Sequence, residues 1–211
     1  MKTIFDFIYL NRYKVLEKTV EHVSMSLLAV CIACLIGIPL GFMIANRKQV
    51  SRAVIGVANI IQTIPTLAMF AFVMPVLGIG KNPAVVALVL YALLPIIKNT
   101  LLGIQNISPT IRKAAVGMGL TRSQILFKVE VPISISFIMG GIRIAAVTSI
   151  GITTIATLIA AGGLGDFIYS GISMFNMPMV ITGGLFSAIL AILVDVLLGL
   201  IENVLTSKGL Q

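Results

Sequence analysis

Few residues in this chain have the type and spacing for covalent or proton chemistry. His22 is the single histidine, too little material for a histidine metal site or a Ser-His-Asp triad. Cys31 and Cys34 lie three apart inside an apolar run, where packing is the expected role and no disulfide framework follows. Gly80-Lys81 is the nearest approach to a phosphate-binding loop. Pro75 and Asn82 stand where that loop needs glycine and serine or threonine, so the chain is not expected to hydrolyse ATP itself. Gly162-Gly163-Leu164-Gly165 follows no strand and is no dinucleotide fingerprint. What remains is charge in apolar surroundings. Lys98, Arg143 and Asp195 lie within or near uncharged runs, where an ion is costly and usually paired. Arg143 with Asp195, or Lys98 with Asp195, is expected to form a structural ion pair holding two spans in register, a role preferred over a proton relay.

Apolar elements must position these charges. The 211 residues are 58% hydrophobic and 10% charged, with mean hydropathy +1.11; a soluble domain carries about 25% charge. The fold class is an all-α integral membrane protein with about five transmembrane helices. Val23 to Asn46 is uncharged and exceeds the roughly 20 residues that cross a hydrocarbon core. Gly37 and Gly41 on it form a GxxxG spacing for close packing, and Pro39 permits a bend. Ala53 to Gly80 is a second run, broken by Ile64-Pro65-Thr66 and by Pro75. Ala84 to about Gly103, Gly140 to Ala161 and Met179 to about Glu202 complete the set. Residues 1–21 mix charges with aromatics and read as an interfacial segment. Residues 22–205 form the transmembrane domain, residues 162–178 an outer loop, and residues 206–211 a short tail.

The net charge of +8 is better explained by topology than by nucleic acid. With the N-terminus outside, the inner loops collect Arg47, Lys48, Arg52, Arg112, Lys113, Arg122, Lys128 and Lys208, and the outer loops between spans hold only Lys81. Basic residues favour the cytoplasmic side. The bases within residues 1–21 oppose this orientation and are only partly offset by Asp6, Glu17 and Glu21.

The inner loop at 108–132 is the longest polar-containing stretch between apolar runs. Ser108 can cap a helix with Pro109 at its first position. Ile111, Ala114, Ala115 and Met118 then fall on one narrow stripe, and Gly117 and Gly119 can end the helix in a left-handed residue. Thr121 and Gln124 form a capping box for a second helix, which Pro132 is expected to stop. Helices this short must pack on something. A small-residue stripe fits a close docking surface for another protein. A helix-turn-helix tied to a span at both ends suits DNA poorly, and a mere connector is the other reading.

Lys113-Ala114-Ala115, three residues, Gly119, nine residues, Val129, one residue and Val131-Pro132 resembles the "EAA" loop of bacterial ABC importer permeases, with Lys113 where that family usually has Glu. IQTIPTLAMF, GIGKNPAVVALVLYALLPIIKNT, AAGGLGDFIYSG and ILVDVLLGLIE look like the permeases of glycine betaine/carnitine/choline importers. The resemblance implies a type I importer permease in the bacterial cell membrane, whose loop docks into an ATPase through Ala114, Ala115 and Gly119. It further implies partner ATPases that bind ATP and Mg, no cofactor in this chain, a second permease subunit (identical or related), and a separate substrate-binding protein on the outer face. Transport would proceed by alternating access. The break at Thr63, Pro65 and Thr66 and the fourth-span threonines Thr148, Thr153 and Thr154 are the candidates for lining the passage. Helix packing is the competing role for those small residues. A permease for another small solute, such as an amino acid, and a secondary transporter remain the alternatives.

Overall fold

The computed structural model describes residues 3–206, and every regular element among them is helical. Lys208 and most of the tail lie outside the described residues. The chain opens with α1 (Ile4–Leu10), started by a reciprocal Thr3–Asp6 capping box. It continues through α2 (Arg12–Ile44), α3 (Lys48–Thr63), α4 (Thr66–Leu77) and α5 (Lys81–Gln105). The 108–132 stretch carries α6 (Pro109–Gly117), α7 (Arg122–Ile125) and a π-helical turn, Leu126–Glu130. Then follow α8 (Val131–Thr153), a 3₁₀ turn (Ile155–Ile159), α9 (Gly165–Ser173) and α10 (Met177–Leu205). Four helical stretches are long and apolar enough to cross a membrane: α2, α5, the continuous Arg122–Thr153 path and α10. The α3–α4 pair makes a fifth if counted as one span, bent by 100° at its break.

α5 is the centre. Its apolar window is 61% buried inside the chain, against 11% for α10. α2, α3, α4 and α8 all pack on it. Met25 and Ala33 of α2, Phe70 of α4, Leu88 and Ile96 of α5 and Ala145 of α8 share one core cluster. Small residues let backbones approach where water cannot drive association. A Cβ on Gly41 of α2 would stand 2.7 Å from Thr100 on α5, and one on Gly141 of α8 would stand 2.8 Å from the Pro95 carbonyl. Both faces of α5 are thus joined by glycines.

The structure departs from the sequence reading at four places. Residues 12–21, expected at the interface, are the first turns of α2 and continue without a break into its apolar part. Pro132 does not stop a helix. It sits in the first turn of α8, where the missing N–H is tolerated, and the π turn just before it lets the path from Arg122 continue through it. Helix thus precedes Gly140 throughout the Arg122–Thr153 path, and Arg143 lies roughly 18 Å along α8 instead of close to the start of its span. The segment 162–178, expected as an outer loop, contains α9. That helix is short and glycine-bounded, and it is held by packing: Phe167 and Ile168 close on Gly183 of α10.

Candidate functional site

The two-helix segment is built locally as its residues dictate. The Ser108 hydroxyl accepts the Thr110 N–H at 3.3 Å, with Pro109 at the first helical position. Gly119 takes φ +75°, which L side chains rarely adopt, and makes the turn; Gly117 remains in the helix, so only one of the two glycines carries the left-handed role. The Thr121 N–H then donates to Gln124 Oε1 at 2.8 Å, and the Gln124 N–H donates back to Thr121 Oγ1 at 3.3 Å. Arg112 ties the segment to its base. Its Nη2 donates to the Ile104 carbonyl at 2.8 Å, and its Nε stands 3.1 Å from Glu130 Oε1 as a charge contact. One arginine thereby joins the end of α5, α6 and the π turn. Nothing in the loop motif itself pointed to it.

Most of the segment's apolar surface has no cover within the chain. Ala114 and Gly119 are exposed, and Ile111, Val116, Met118 and Phe127 are 43–73% exposed. Lys113 and Pro132 are exposed and Val129 is half-buried. Ala115 is the correction. At 1% exposure it faces its own chain, so it supports the loop from beneath and offers a partner no surface.

The charged site lies between α8 and α10. Arg143 Nε donates to Asp195 Oδ1 at 2.8 Å, Nη2 to Asp195 Oδ2 at 3.0 Å, and Nη1 to Glu202 Oε2 at 3.0 Å. Planar forks of this kind fix geometry as well as charge. Asp195 and Glu202 are seven apart, two helical turns on one face; that spacing was readable, yet Glu202 was missed because it sits at the end of its apolar run. Lys98 is not with Asp195. It lies on a groove between α3 and α5 with Lys48 and Arg52.

The candidate passage residues divide. Thr63 and Pro65 are exposed and Thr66 is half-buried, all at the α3–α4 break. The break follows from Pro65: the residue before a proline is pushed out of the helical region, and Ile64 has ψ 126°. Thr148 is exposed beside Arg143 and Asp195 in an open cavity of about 520 Å³. Thr154 is half-buried and bonds back to Gly151. Thr153 lines no open surface. It is fully buried, donates to the Ser149 carbonyl at 2.7 Å and meets Ser26 Oγ of α2 at 2.9 Å, so it packs helices.

At the end of the bundle where α2 meets the segment before α9, the lone histidine has a structural task. His22 is fully buried; Nδ1 accepts the Leu164 N–H at 3.2 Å and Nε2 faces the Ile150 carbonyl at 2.9 Å. This fixes the tautomer with the proton on Nε2. Beside it Glu21 accepts the Gly163 N–H at 3.2 Å and pairs with Lys18 and Lys81, while Lys18 reaches Asp166 at 2.7 Å. The glycines at φ +86° and +88° allow the 162–164 backbone to turn its amides toward α2.

Residues 37–206 match the family described as binding-protein-dependent transport system inner membrane component. The chain is 40% identical over 211 residues, covering all of it and 97% of the relative, to the carnitine transport permease protein OpuCB of Listeria monocytogenes. The same identity and coverage hold for the choline transport system permease protein OpuBB of Bacillus subtilis (strain 168). The osmoprotectant import permease protein OsmW of Salmonella typhimurium is 42% identical over 198 residues, 92% of each chain. Among solved structures, the MetNI methionine ABC transporter in an inward-facing conformation superposes with TM-score 0.83 at 23% identity, covering 93% of this chain and 98% of that one, a likeness of fold. The chain belongs to the binding-protein-dependent transport system inner membrane component family, with the fold of type I ABC importer permeases.

Proposed function

We propose that this chain is the membrane-spanning permease of an ATP-driven importer of quaternary ammonium osmolytes: glycine betaine, carnitine or choline. The observation that carries the substrate class is the full-length similarity to permeases named for carnitine and for choline. The two-helix segment is the coupling element. Its exposed Ala114 and Gly119, with Met118 and Val116 beside them, would enter a groove on a partner ATPase, which binds ATP and Mg; no cofactor sits in this chain. One chain carries one such segment, so a second permease, identical or related, completes a transporter with two ATPases. The segment faces the cytoplasm of a bacterial cell and the N-terminus lies outside, following the basic residues.

A separate binding protein delivers substrate to the outer face, including the 162–178 segment. With no tryptophan in the chain, tight recognition of a quaternary ammonium by an aromatic cage belongs to that partner. This chain supplies the passage, lined at the break by Thr63, Pro65 and Thr66, on α8 by Thr148 and at its C-terminal cap by Thr154. ATP-driven closure of the ATPases moves the two-helix segments and re-tilts the spans, exposing the passage to each side in turn. Purification of the tagged chain in mild detergent from its native membrane, with mass spectrometry of what accompanies it, tests the assembly. Labelled glycine betaine, carnitine and choline uptake in vesicles of the recovered complex tests the substrate. An ATPase, a second permease and uptake of one of the three are expected; recovery without an ATPase overturns the coupling role.

A further inference from the structure

The α3–α4 break is held from outside its own sequence, by Tyr91 of α5. Tyr91 is 6% exposed, and it bonds the break through both its backbone and its side chain. Its carbonyl accepts the Gln62 Nε2–H at 2.9 Å, and its phenol donates to the Ile64 carbonyl. The availability of that carbonyl has a cause in the sequence. In a helix the carbonyl of Tyr91 should accept the N–H of residue 95, four residues on. Residue 95 is Pro95 and has no N–H. The orphaned acceptor, within an apolar bundle where an unmade hydrogen bond is costly, is filled by Gln62 from the last turn of α3. The Ile64 carbonyl is orphaned for a parallel reason, since the chain leaves the helical path before Pro65. Two proline-made vacancies on two helices are therefore closed by one pair of residues.

We propose that Tyr91 and Gln62 are positioning residues for transport, locking the 100° bend between α3 and α4 to α5 at the turn where Pro95 leaves a carbonyl free. The bend is thereby a fixed constriction that moves with α5. This rests on the reading that the break lines the passage. Thr63, Pro65 and Thr66 keep their place at the passage only while Tyr91 and Gln62 hold the bend. Without the lock, α3 and α4 swing independently and a closure driven from the two-helix segment no longer reaches the constriction.

The test is vesicle uptake and ATP hydrolysis measured together on the complete purified transporter, with wild type, Tyr91→Phe, Gln62→Leu, Pro95→Ala and the Gln62→Leu/Pro95→Ala pair. Tyr91→Phe removes only an O–H, and Gln62→Leu removes only the donor amide. Each is expected to lower solute carried per ATP by about three- to ten-fold, the scale of one partly buried hydrogen bond, with complex yield and ATP hydrolysis retained. In the Pro95→Ala background the Tyr91 carbonyl regains a helical N–H, so Gln62→Leu should cost much less than in wild type. Equal cost in both backgrounds, unchanged solute per ATP in Tyr91→Phe and Gln62→Leu, or a parallel fall of yield, hydrolysis and uptake overturns the positioning role. A wild-type complex that carries none of the three osmolytes with ATP overturns the transport reading, and the positioning role with it.

Discussion

Arg143 on α8 and Asp195 on α10 meet through two parallel hydrogen bonds, Nε to Oδ1 at 2.8 Å and Nη2 to Oδ2 at 3.0 Å, with Glu202 closing on the remaining nitrogen at 3.0 Å. The guanidinium is thus held by two carboxylates from one neighbouring helix. That is a device for fixing the register of α8 against α10, because a one-turn slip would leave charge unpaired in apolar surroundings.

Asp195→Asn should therefore act on assembly. It keeps the shape and removes the charge, leaving Arg143 to Glu202 alone. Steady-state amount of the chain in the membrane should fall several-fold, read by quantitative immunoblot, with a lower melting temperature in detergent. Transport per molecule should change little. If the amount stays normal and uptake instead becomes dependent on pH, the pair has a proton-handling role and the register reading is wrong.

Gly119→Asp addresses the coupling segment. A Cβ at Gly119 meets no atom of this chain within 4 Å, so the substitution creates no internal clash and costs only about 1–2 kcal/mol of left-handed backbone strain. The protein should insert and assemble, while ATP hydrolysis and uptake become uncoupled, because the new carboxylate points where the ATPase would sit. Normal uptake would show that this surface is not the docking site. By the same logic Ala115→Leu should destabilise the loop itself, by about 1–3 kcal/mol, since Ala115 is 1% exposed against its own chain.

His22→Ala removes two bonds from a fully buried position, leaving the Leu164 N–H and the Ile150 carbonyl without their partner. The expected loss is about 3 kcal/mol, seen as a melting temperature lowered by about 6–12 °C for a chain of this size. Protease cleavage within residues 162–166 should rise in parallel. An unchanged melting curve would mean that Glu21, through Lys18, Lys81 and the Gly163 amide, holds the 162–166 segment without help from the imidazole.

Gly41→Leu tests how α2 docks on α5. The added Cβ would lie 2.7 Å from both Cβ and Cγ2 of Thr100, and no χ1 rotation moves a Cβ, which the backbone fixes. The helices must separate, so the monodisperse peak on size exclusion should broaden or be lost. Gly56→Ala on α3, where a Cβ meets nothing within 4 Å, serves as the neutral comparison.

Much of this molecule was written along the chain. Uncharged runs marked the spans because each residue's transfer to hydrocarbon is a local property, insensitive to neighbours. The Ile64-Pro65 break, the Ser108–Pro109 start, the Gly119 turn and the Thr121–Gln124 box were legible for the same reason: capping and proline geometry act within a few residues. Position along the chain did not say what each vacancy would be filled with. Pro95 announces an orphaned carbonyl at Tyr91, but only folding brings Gln62 to it. Ala114 and Ala115 are adjacent and chemically identical, yet one faces out and the other in, because the side of a short helix that packs is chosen by Arg112 and its partners at Ile104 and Glu130. Thr153 and Thr148 are likewise equal as letters, and α2, arriving with Ser26, buries one and leaves the other open. Local conformation is set by bonded neighbours and transfer energy, whereas partner choice depends on residues distant in sequence that meet only when the helices pack.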